Sequence, residues 1–154
     1  MAEEEKWEDL NIFRMSDEDA WTLMDKVKGC AVSWARRDGQ TISVWVSHAV
    51  MDGELYVTTT DDRPKTKAWL RDPRTSATFG LPGMGSVTVL GRVQLSKDPA
   101  LRTRFLRDLL RRLEIPAAGE EQWMEAMDTE GRMVGKVEIE KFITFDERKL
   151  PTNE

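Results

Sequence analysis

The segment Thr58–Arg74, TTTDDRPKTKAWLRDPR, contains the residue types that bind a small anion. Three hydroxyl side chains end a strand-like run, and the cations Arg63, Lys65 and Lys67 follow in a helix predicted from about Arg63 to Arg71. The N-terminus of a helix is already positive, so added cations are unfavourable there unless an anion lies among them. The spacing therefore predicts a phosphate-binding site where the strand meets the helix.

The threonines and the proline of this segment fit the same site. Because strand side chains alternate, the hydroxyls of Thr58 and Thr60 point to one side and that of Thr59 to the other. Pro64 suits the first helical turn, and one of the two aspartates before Arg63 is expected to cap the helix. A second interpretation stays open, in which this is a solvated basic helix end whose charges offset nearby acids.

Composition limits the class of protein and its partners. The chain has 154 residues, which predicts one domain over residues 1–154, and its 23 basic and 28 acidic side chains argue against nucleic-acid binding. No apolar run approaches the length of a membrane span, and the acidic start MAEEEKWED lacks the apolar core of a signal peptide. We expect a cytoplasmic protein with no membrane partner and a flexible lead-in over about residues 1–14.

Hydrophobic periodicity predicts the elements that position the anion site. A helix capped by Ser16 is expected to end at Gly29, and two Asp-Gly pairs, at 38–39 and 52–53, predict hairpins between three strands. Three further strands are predicted at about 74–81, 86–96 and 131–149, and two further helices at about 98–114 and 119–130. Gly91, inside the fifth strand, predicts a bulge or a bend.

These elements predict a mainly β (α+β) fold. Hairpins cannot connect the strands of a parallel sheet. Six strands joined mainly in this way therefore predict a six-stranded antiparallel β-barrel with peripheral helices.

Other chemically competent residues are few. His48 is the only histidine, so a site with several histidine ligands is excluded. It is either a proton donor that lines a substrate cleft or a polar residue near a turn. Cys30 is the only cysteine; it excludes a disulfide framework and is expected to be a small buried residue, not a redox thiol. We therefore predict no metal site and no catalytic acid–base pair.

Two runs of the sequence carry a family resemblance. GQTISVWVSHAVMDGELYVTTTDDRPKTKAWLRDPRTSATFG, followed by SVTVLGRVQLSKDP, resembles the split-barrel flavin and deazaflavin oxidoreductases, the superfamily of pyridoxamine 5'-phosphate oxidase. The pattern is most similar to the actinobacterial branch that uses the deazaflavin coenzyme F-420. In that branch a strand ending in Ser or Thr precedes Arg-x-Lys-x-Arg-Asn-Leu-x-x-Asp-Pro-Arg. Here Arg63, Lys65, Lys67 and residues 72–74 fall in register.

The resemblance covers roughly residues 29–145, including a helix with Trp123 before the last strand. The chain departs from the pattern at three positions. Lys67 stands in place of Arg, Ala68 in place of Asn and Trp69 in place of Leu. These departures are expected to reshape the packing behind the phosphate site but to leave Arg63 and Lys65 in place.

The resemblance implies a split barrel that forms a homodimer, with two cofactor sites at the subunit interface. It also implies that reduced deazaflavin delivers a hydride to an unsaturated or conjugated small molecule. The phosphate would be bound by Arg63 and Lys65, which would supply affinity and not catalysis, and the ring would lie along the second strand. The implied cofactor-binding residues are Ser43, Val44, Trp45, Val46, Ser47, Thr58, Thr59, Thr60, Arg63, Pro64, Lys65 and Lys67.

Three alternatives stay open. FMN fits the same cradle, because both cofactors carry a phosphate on a ribityl chain; the lactyl-glutamate tail of the deazaflavin needs further basic groups, for which Lys67 is a candidate. The chain could instead be a non-catalytic protein that binds a cofactor or a tetrapyrrole, or the fold could persist with an empty pocket. Trp45 would either stack on a ring or serve as an aromatic residue of the core or the dimer interface.

Overall fold

The computed structural model describes residues 10–151 as a closed six-stranded antiparallel barrel with the strand order β1-β2-β3-β6-β5-β4. The strands are β1 (Gly29–Ala35), β2 (Thr41–Met51), β3 (Glu54–Thr60), β4 (Arg74–Leu81), β5 (Gly85–Ser96) and β6 (Arg132–Asp146). The predicted antiparallel barrel is thereby confirmed.

In the described part of the chain, four α-helices pack around this barrel: α1 (Asp17–Lys26), α2 (Pro64–Arg71), α3 (Pro99–Arg112) and α4 (Glu120–Met127). Two predicted caps are present. The side chain of Ser16 accepts a hydrogen bond from the N–H of Asp19, and that of Asp98 accepts one from Leu101. The predicted end of the first helix at Gly29 is wrong, since α1 ends at Lys26 and Gly29 opens β1.

Glycine-containing turns and one bulge shape the barrel as the sequence predicts. At the β2–β3 turn Asp52 and Gly53 have φ angles of 52° and 72°, the left-handed pair that matches the twist of a tight hairpin. The β5–β6 register shifts between Leu90 and Gly91. A Cβ at Gly91 would lie 2.1 Å from the carbonyl oxygen of Glu138, so only glycine permits this close approach.

The core has two parts. The first fills the barrel and continues under α1 and α2, which contribute Leu23, Met24 and Trp69. The second lies between the barrel wall and α3, where Phe105, Leu106 and other residues are fully buried. Helix α2 thus closes one part of the barrel wall and is fixed there by a buried face.

The predicted N-terminal lead-in lies partly outside the described residues. Within them, Leu10–Phe13 form a single 3-10 turn. Phe13 and Met15 are buried, and the N–H of Met15 donates to the hydroxyl of Thr144 at 2.9 Å. Phe13 and Met15 thus anchor this part of the chain on the barrel, while Asn11, Ile12 and Arg14 are exposed. No helix in the described part of the chain is long and apolar enough to cross a membrane.

His48 lies inside the barrel wall and is fully buried. Its Nε2–H donates to the carbonyl oxygen of Met24 at 2.7 Å, and its ring meets Phe79 edge-on. Nδ1 has no hydrogen-bond partner among the described residues. His48 therefore does not line a solvent-facing cleft.

The pKa of His48 is lowered from 6.5 to about 4, mainly by burial and to a smaller extent by Arg112, while the Met24 carbonyl, Asp25 and Asp108 oppose the shift. The unfolded chain therefore takes up this proton near pH 6.5, whereas the folded chain does not until about pH 4. Stability that is complete above pH 6.5 is lost as the pH falls, by up to about 1.4 kcal/mol per pH unit.

Urea unfolding of the native protein and of His48→Gln between pH 7.5 and pH 5 measures this loss. We expect only the native protein to show the histidine-dependent slope. Equal slopes in both proteins would assign the acid sensitivity to other groups.

Candidate functional site

The barrel is split between β2 and β3. These strands pair only over four positions, from His48↔Val57 to Met51↔Glu54. Beyond that point, Thr41–Ser47 of β2 pair with β1, and Thr58–Thr60 of β3 pair with β6. Among the described residues, Thr41–Ser47 and Thr58–Thr60 form no ladder with each other across the split. This leaves backbone N–H and C=O groups at an open strand edge, which must find other partners.

The five predicted ring-binding residues of β2 border this open edge. Ser43 and Trp45 are exposed on the outer face, where Ser47 is half-buried, while Val44 and Val46 point into the barrel core. Because these side chains point to opposite faces of the strand, only the backbone groups of the five residues can contribute to a single site. The side chain of Trp45 is 69% exposed.

Trp45 covers the outer face of a glycine on the neighbouring strand. A Cβ at Gly29 would lie 2.4 Å from the Nε1 atom of Trp45. The indole is thus held flat against β1 and still presents most of its surface to the outside. Its exposure excludes a core position for Trp45, which leaves ring stacking or a place in a dimer interface.

The helix α2 begins directly opposite the open edge. Its N-cap residue is Arg63, which makes no side-chain cap hydrogen bond, and Pro64 occupies the first turn. The expectation that an aspartate caps the helix is wrong. Asp61 instead pairs with Lys97 at 2.7 Å, and Asp62 accepts the hydroxyl hydrogen bond of Thr60 at 2.5 Å.

The predicted threonines separate into two roles. The hydroxyl of Thr59 is buried and lies 2.8 Å from that of Thr66, which in turn donates to the carbonyl oxygen of Thr60 at 2.6 Å. These bonds tie the end of β3 to the first turn of α2. The hydroxyl of Thr58 faces elsewhere and accepts a hydrogen bond from Nη1 of Arg132 at 3.1 Å.

Three cations converge at this junction. Lys65 is half-buried, and its pKa is lowered by burial and by the neighbouring charges of Arg63 and Arg132. The pKa of Arg132 is likewise lowered, first by burial and then by Arg63. Among the described residues, none of these three cations forms an ion pair.

An anion between these cations would remove their mutual repulsion. The carboxylate of Asp62 interacts with one of these cations: its pKa is lowered mainly by the Thr60 hydroxyl and to a smaller extent by Arg63 and Lys67. Asp62 thus offsets part of the charge on the exposed side but leaves Lys65 and Arg132 unpaired. Half-buried unpaired cations beside a hydroxyl form an anion-binding arrangement.

Arg132 is the site residue that sequence reasoning missed. It opens β6, far from the segment Thr58–Arg74 in sequence, and lies opposite Thr60 in the ladder. Its Nε donates to the carbonyl oxygen of Met127 at 2.9 Å, which aims the guanidinium at Thr58. The pairing of β6 with β3 carries this information, and no local pattern around Arg132 reveals it.

Lys67 lies on a different face of α2 from Lys65. It is exposed and lines a cavity of about 510 Å³ between α2 and the β1–β2 hairpin. The same cavity is bounded by Pro64 and by Ile42, at the start of the open β2 edge. The predicted residues therefore lie in two places: Arg63 and Lys65 at the cationic junction of β3 and α2, termed the anion corner, and Lys67 at the neighbouring cavity.

A larger cavity of about 780 Å³ lies along α3. Two of its arginines, Arg104 and Arg111, are paired with Asp52 and Asp108. It shares no lining residue with the open edge or with α2, so it does not belong to this site.

The chemistry available at the split is binding and orientation. In the described part of the chain no group of three or more His, Cys, Asp or Glu side chains could hold a metal ion. Cys30 is buried, and burial raises the pKa of its thiol to about 12, so it is unreactive at neutral pH. An anion corner beside an open strand edge can hold a phosphorylated ligand and hydrogen-bond its ring edge.

Comparison with known proteins identifies the fold. Neither a protein-family model nor a curated protein matches this sequence. Among solved structures, the conserved hypothetical protein Rv2991 from Mycobacterium tuberculosis superimposes with a TM-score of 0.79 at 19% identity, over 92% of each chain.

Two further solved structures superimpose less closely. An F420 reductase gives a TM-score of 0.64 at 22% identity, over 83% of this chain and 98% of its own. A putative pyridoxamine 5'-phosphate oxidase from Listeria innocua gives 0.65 at 16% identity, over 82% of this chain and 95% of its own. The chain thus has the split-barrel fold of pyridoxamine 5'-phosphate oxidase-like proteins, as the resemblance implied.

Proposed function

We propose that this chain is an oxidoreductase that binds coenzyme F-420 and transfers a hydride to an unsaturated or conjugated small molecule. One observation carries the proposal. The cations Arg63, Lys65 and Arg132 lie close enough to lower one another's pKa, and Arg132 donates to the hydroxyl of Thr58 beside the open strand edge. A phosphate supplies the missing anion, and a planar ring beside it meets the free backbone groups of β2.

The chain's own residues would bind and orient the cofactor. Arg63, Lys65 and Arg132 would hold the phosphate, and the N–H groups and carbonyls of Ser43–Ser47 would hydrogen-bond the ring edge. The bound cofactor supplies the hydride chemistry. Because no titratable residue of the described chain borders the open edge with a suitable pKa, we assign no side chain as a proton donor.

The choice of cofactor rests on the segment Arg63–Arg74 and on the further cations near it. The segment follows the spacing of the F-420-dependent branch, and one of the structures that share the fold is an F420 reductase. FMN is the alternative, since its phosphate fits the same corner. A non-catalytic cofactor or tetrapyrrole carrier is the second alternative.

Titration of the purified protein with F-420 and with FMN, followed by turnover with a panel of conjugated acceptors, tests the proposal. We expect tighter binding of F-420 and oxidation of reduced F-420 that depends on both protein and acceptor. Tight binding without turnover on any acceptor would support a carrier. Tighter binding of FMN would support the flavin alternative.

The outer face of the sheet supports the proposed homodimer. Trp45, Ala31, Thr78, Thr88 and Ile143 lie side by side across five strands. None of them is charged, although 33% of the chain is charged. Trp45 is 69% exposed beside the uncharged Ala31 and Thr78, and Trp is enriched at protein interfaces. We propose that the outer surface around Trp45, Ala31 and Thr78, on the adjacent strands β2, β1 and β4, packs against a second copy and brings the open β2 edge to the subunit interface.

Thr78→Arg tests the dimer, because it places a charge in the centre of that row. We expect the variant to elute as a monomer where the native protein is a dimer, measured by light scattering coupled to gel filtration. Gln94→Arg, on an exposed position of β5 outside the row, is the matched control and should leave the dimer intact. A dimeric Thr78→Arg protein would place the interface elsewhere.

A further inference from the structure

The cavity beside α2 combines an apolar floor with a cationic rim. Trp34 and Ala68 are buried at 9% and 4% exposure, and with the half-buried Ile42 they form the floor. Lys67 and Arg71 line one side from α2, and Arg37 lines the other from the β1–β2 hairpin. Its volume, about 510 Å³, lies in the range of small-molecule pockets.

The charges around this cavity are unbalanced. Four cations line it, Arg36, Arg37, Lys67 and Arg71, against the single carboxylate of Asp38. That carboxylate already lies 3.7 Å from Arg36 and accepts the N–H of Gln40 at 3.0 Å. Among the described residues, the side chains of Arg37 and Lys67 form no hydrogen bond or ion pair. Two or three cations are therefore available to an anionic ligand.

The side chain of Arg71 is held at the cavity by a hydrogen bond. Its Nη2 donates to the carbonyl oxygen of Ala35 at 3.3 Å, across the cavity from its own helix. The guanidinium is thereby fixed over the β1–β2 hairpin, and its remaining N–H groups stay available. A planar guanidinium with parallel N–H groups matches the geometry of a carboxylate.

We propose that this cavity binds an aromatic carboxylate, whose ring lies on Trp34, Ile42 and Ala68 and whose acid group meets Lys67, Arg71 and Arg37. The cavity is lined by Ile42, near the start of the open β2 edge, and by Pro64 of α2. This ligand would therefore lie next to a ring bound along the β2 edge. We assign this acid as the substrate class of the proposed oxidoreductase, an assignment that rests on the proposed function. The binding site itself does not.

Binding of 2-naphthoate and of its neutral analogue 2-naphthalenemethanol to the cofactor-free protein tests the site, by amide chemical shifts. We expect naphthoate to bind at least about tenfold more tightly than the alcohol, the effect of a charged hydrogen bond. The shifted amides should belong to residues 34–42 and 65–71. Equal affinity for both compounds, or shifts elsewhere, would overturn the proposal.

The double variant Lys67→Ala, Arg71→Ala separates this site from the anion corner. We expect naphthoate affinity to fall about tenfold and the affinity for the alcohol to stay the same. Arg107→Ala, an exposed cation on α3 that does not line this cavity, and Lys65→Ala should leave both affinities unchanged. Loss of naphthoate binding in Lys65→Ala alone would place the ligand in the anion corner and overturn the inference.

Titration of naphthoate into protein saturated with F-420 or with FMN distinguishes the two sources of a carboxylate. Retained binding in both cases supports a separate acid. Displacement by F-420 but not by FMN would assign the cations to the glutamate tail of the coenzyme, and displacement by both would place the ring in the cavity; either result would overturn the assignment. If neither cofactor binds while naphthoate does, the proposed function fails and the acid site stands.

Discussion

Lys65→Ala is expected to weaken binding of the phosphorylated cofactor by about 10- to 150-fold, or about 1.5–3 kcal/mol, the range for a hydrogen bond to a charged group. The half-buried ammonium of Lys65 lies beside Arg63 and Arg132 without a carboxylate partner. A bound phosphate is therefore attracted by the charge of Lys65, and it also offsets the repulsion between the three cations. Fluorescence titration with F-420 and with FMN measures the loss.

Arg132→Ala should weaken binding to a similar degree, because it removes the guanidinium held over Thr58 by the Met127 carbonyl. The two losses should not add, since each substitution also lowers the repulsion felt by the remaining cation. A double-mutant cycle with Lys65→Ala reports this coupling.

Lys28→Ala is the control, because Lys28 is an exposed cation paired with Glu114 at 3.4 Å. Surface pairs of this kind contribute little, so affinity should not change. Native affinity in both Lys65→Ala and Arg132→Ala would remove the anion corner from the cofactor site.

Trp69→Ala is expected to destabilise the protein by about 3–5 kcal/mol, the usual cost of removing a large aromatic side chain from a core. Trp69 is 2% exposed, packs in the barrel core and donates from Nε1 to the carbonyl oxygen of Ser33 at 3.3 Å. Urea unfolding measures the loss. Because Trp69 fixes the helix that carries Lys65, cofactor affinity should fall as well.

Leu70→Ala, the next residue along the same helix, is the matched control. Leu70 is 70% exposed, so the change should stay within about 0.5 kcal/mol. Trp69→Leu, which restores the residue type of the family pattern, should cost less than Trp69→Ala but should still leave a void. If Trp69→Ala and Leu70→Ala proved equally stable, α2 would not be anchored by this face.

The turns, helix caps and bulge could be predicted from the sequence because each depends on residues that are close together in the chain. The Asp-Gly turns, the Ser16 and Asp98 caps and the bulge at Gly91 each depend on a few neighbouring residues. Because hairpins join antiparallel strands, six strands connected mainly in this way predicted an antiparallel barrel. The helix at Pro64 was predicted to within one residue. Its capping residue was wrong, because Lys97 and Thr60 bind the two aspartates.

Taken alone, the amino-acid sequence determined the barrel, the position of α2 and the presence of cations at its start, since these follow from patterns within one element and its neighbours. Only the tertiary structure decided which cations meet. The β3–β6 ladder brings Arg132 to Thr58 across 74 residues, and the end of the β2–β3 ladder at His48 opens the strand edge. Side chains from distant elements share a site only after the sheet has closed. The strand register therefore determines which of them meet, and no local spacing in the sequence does.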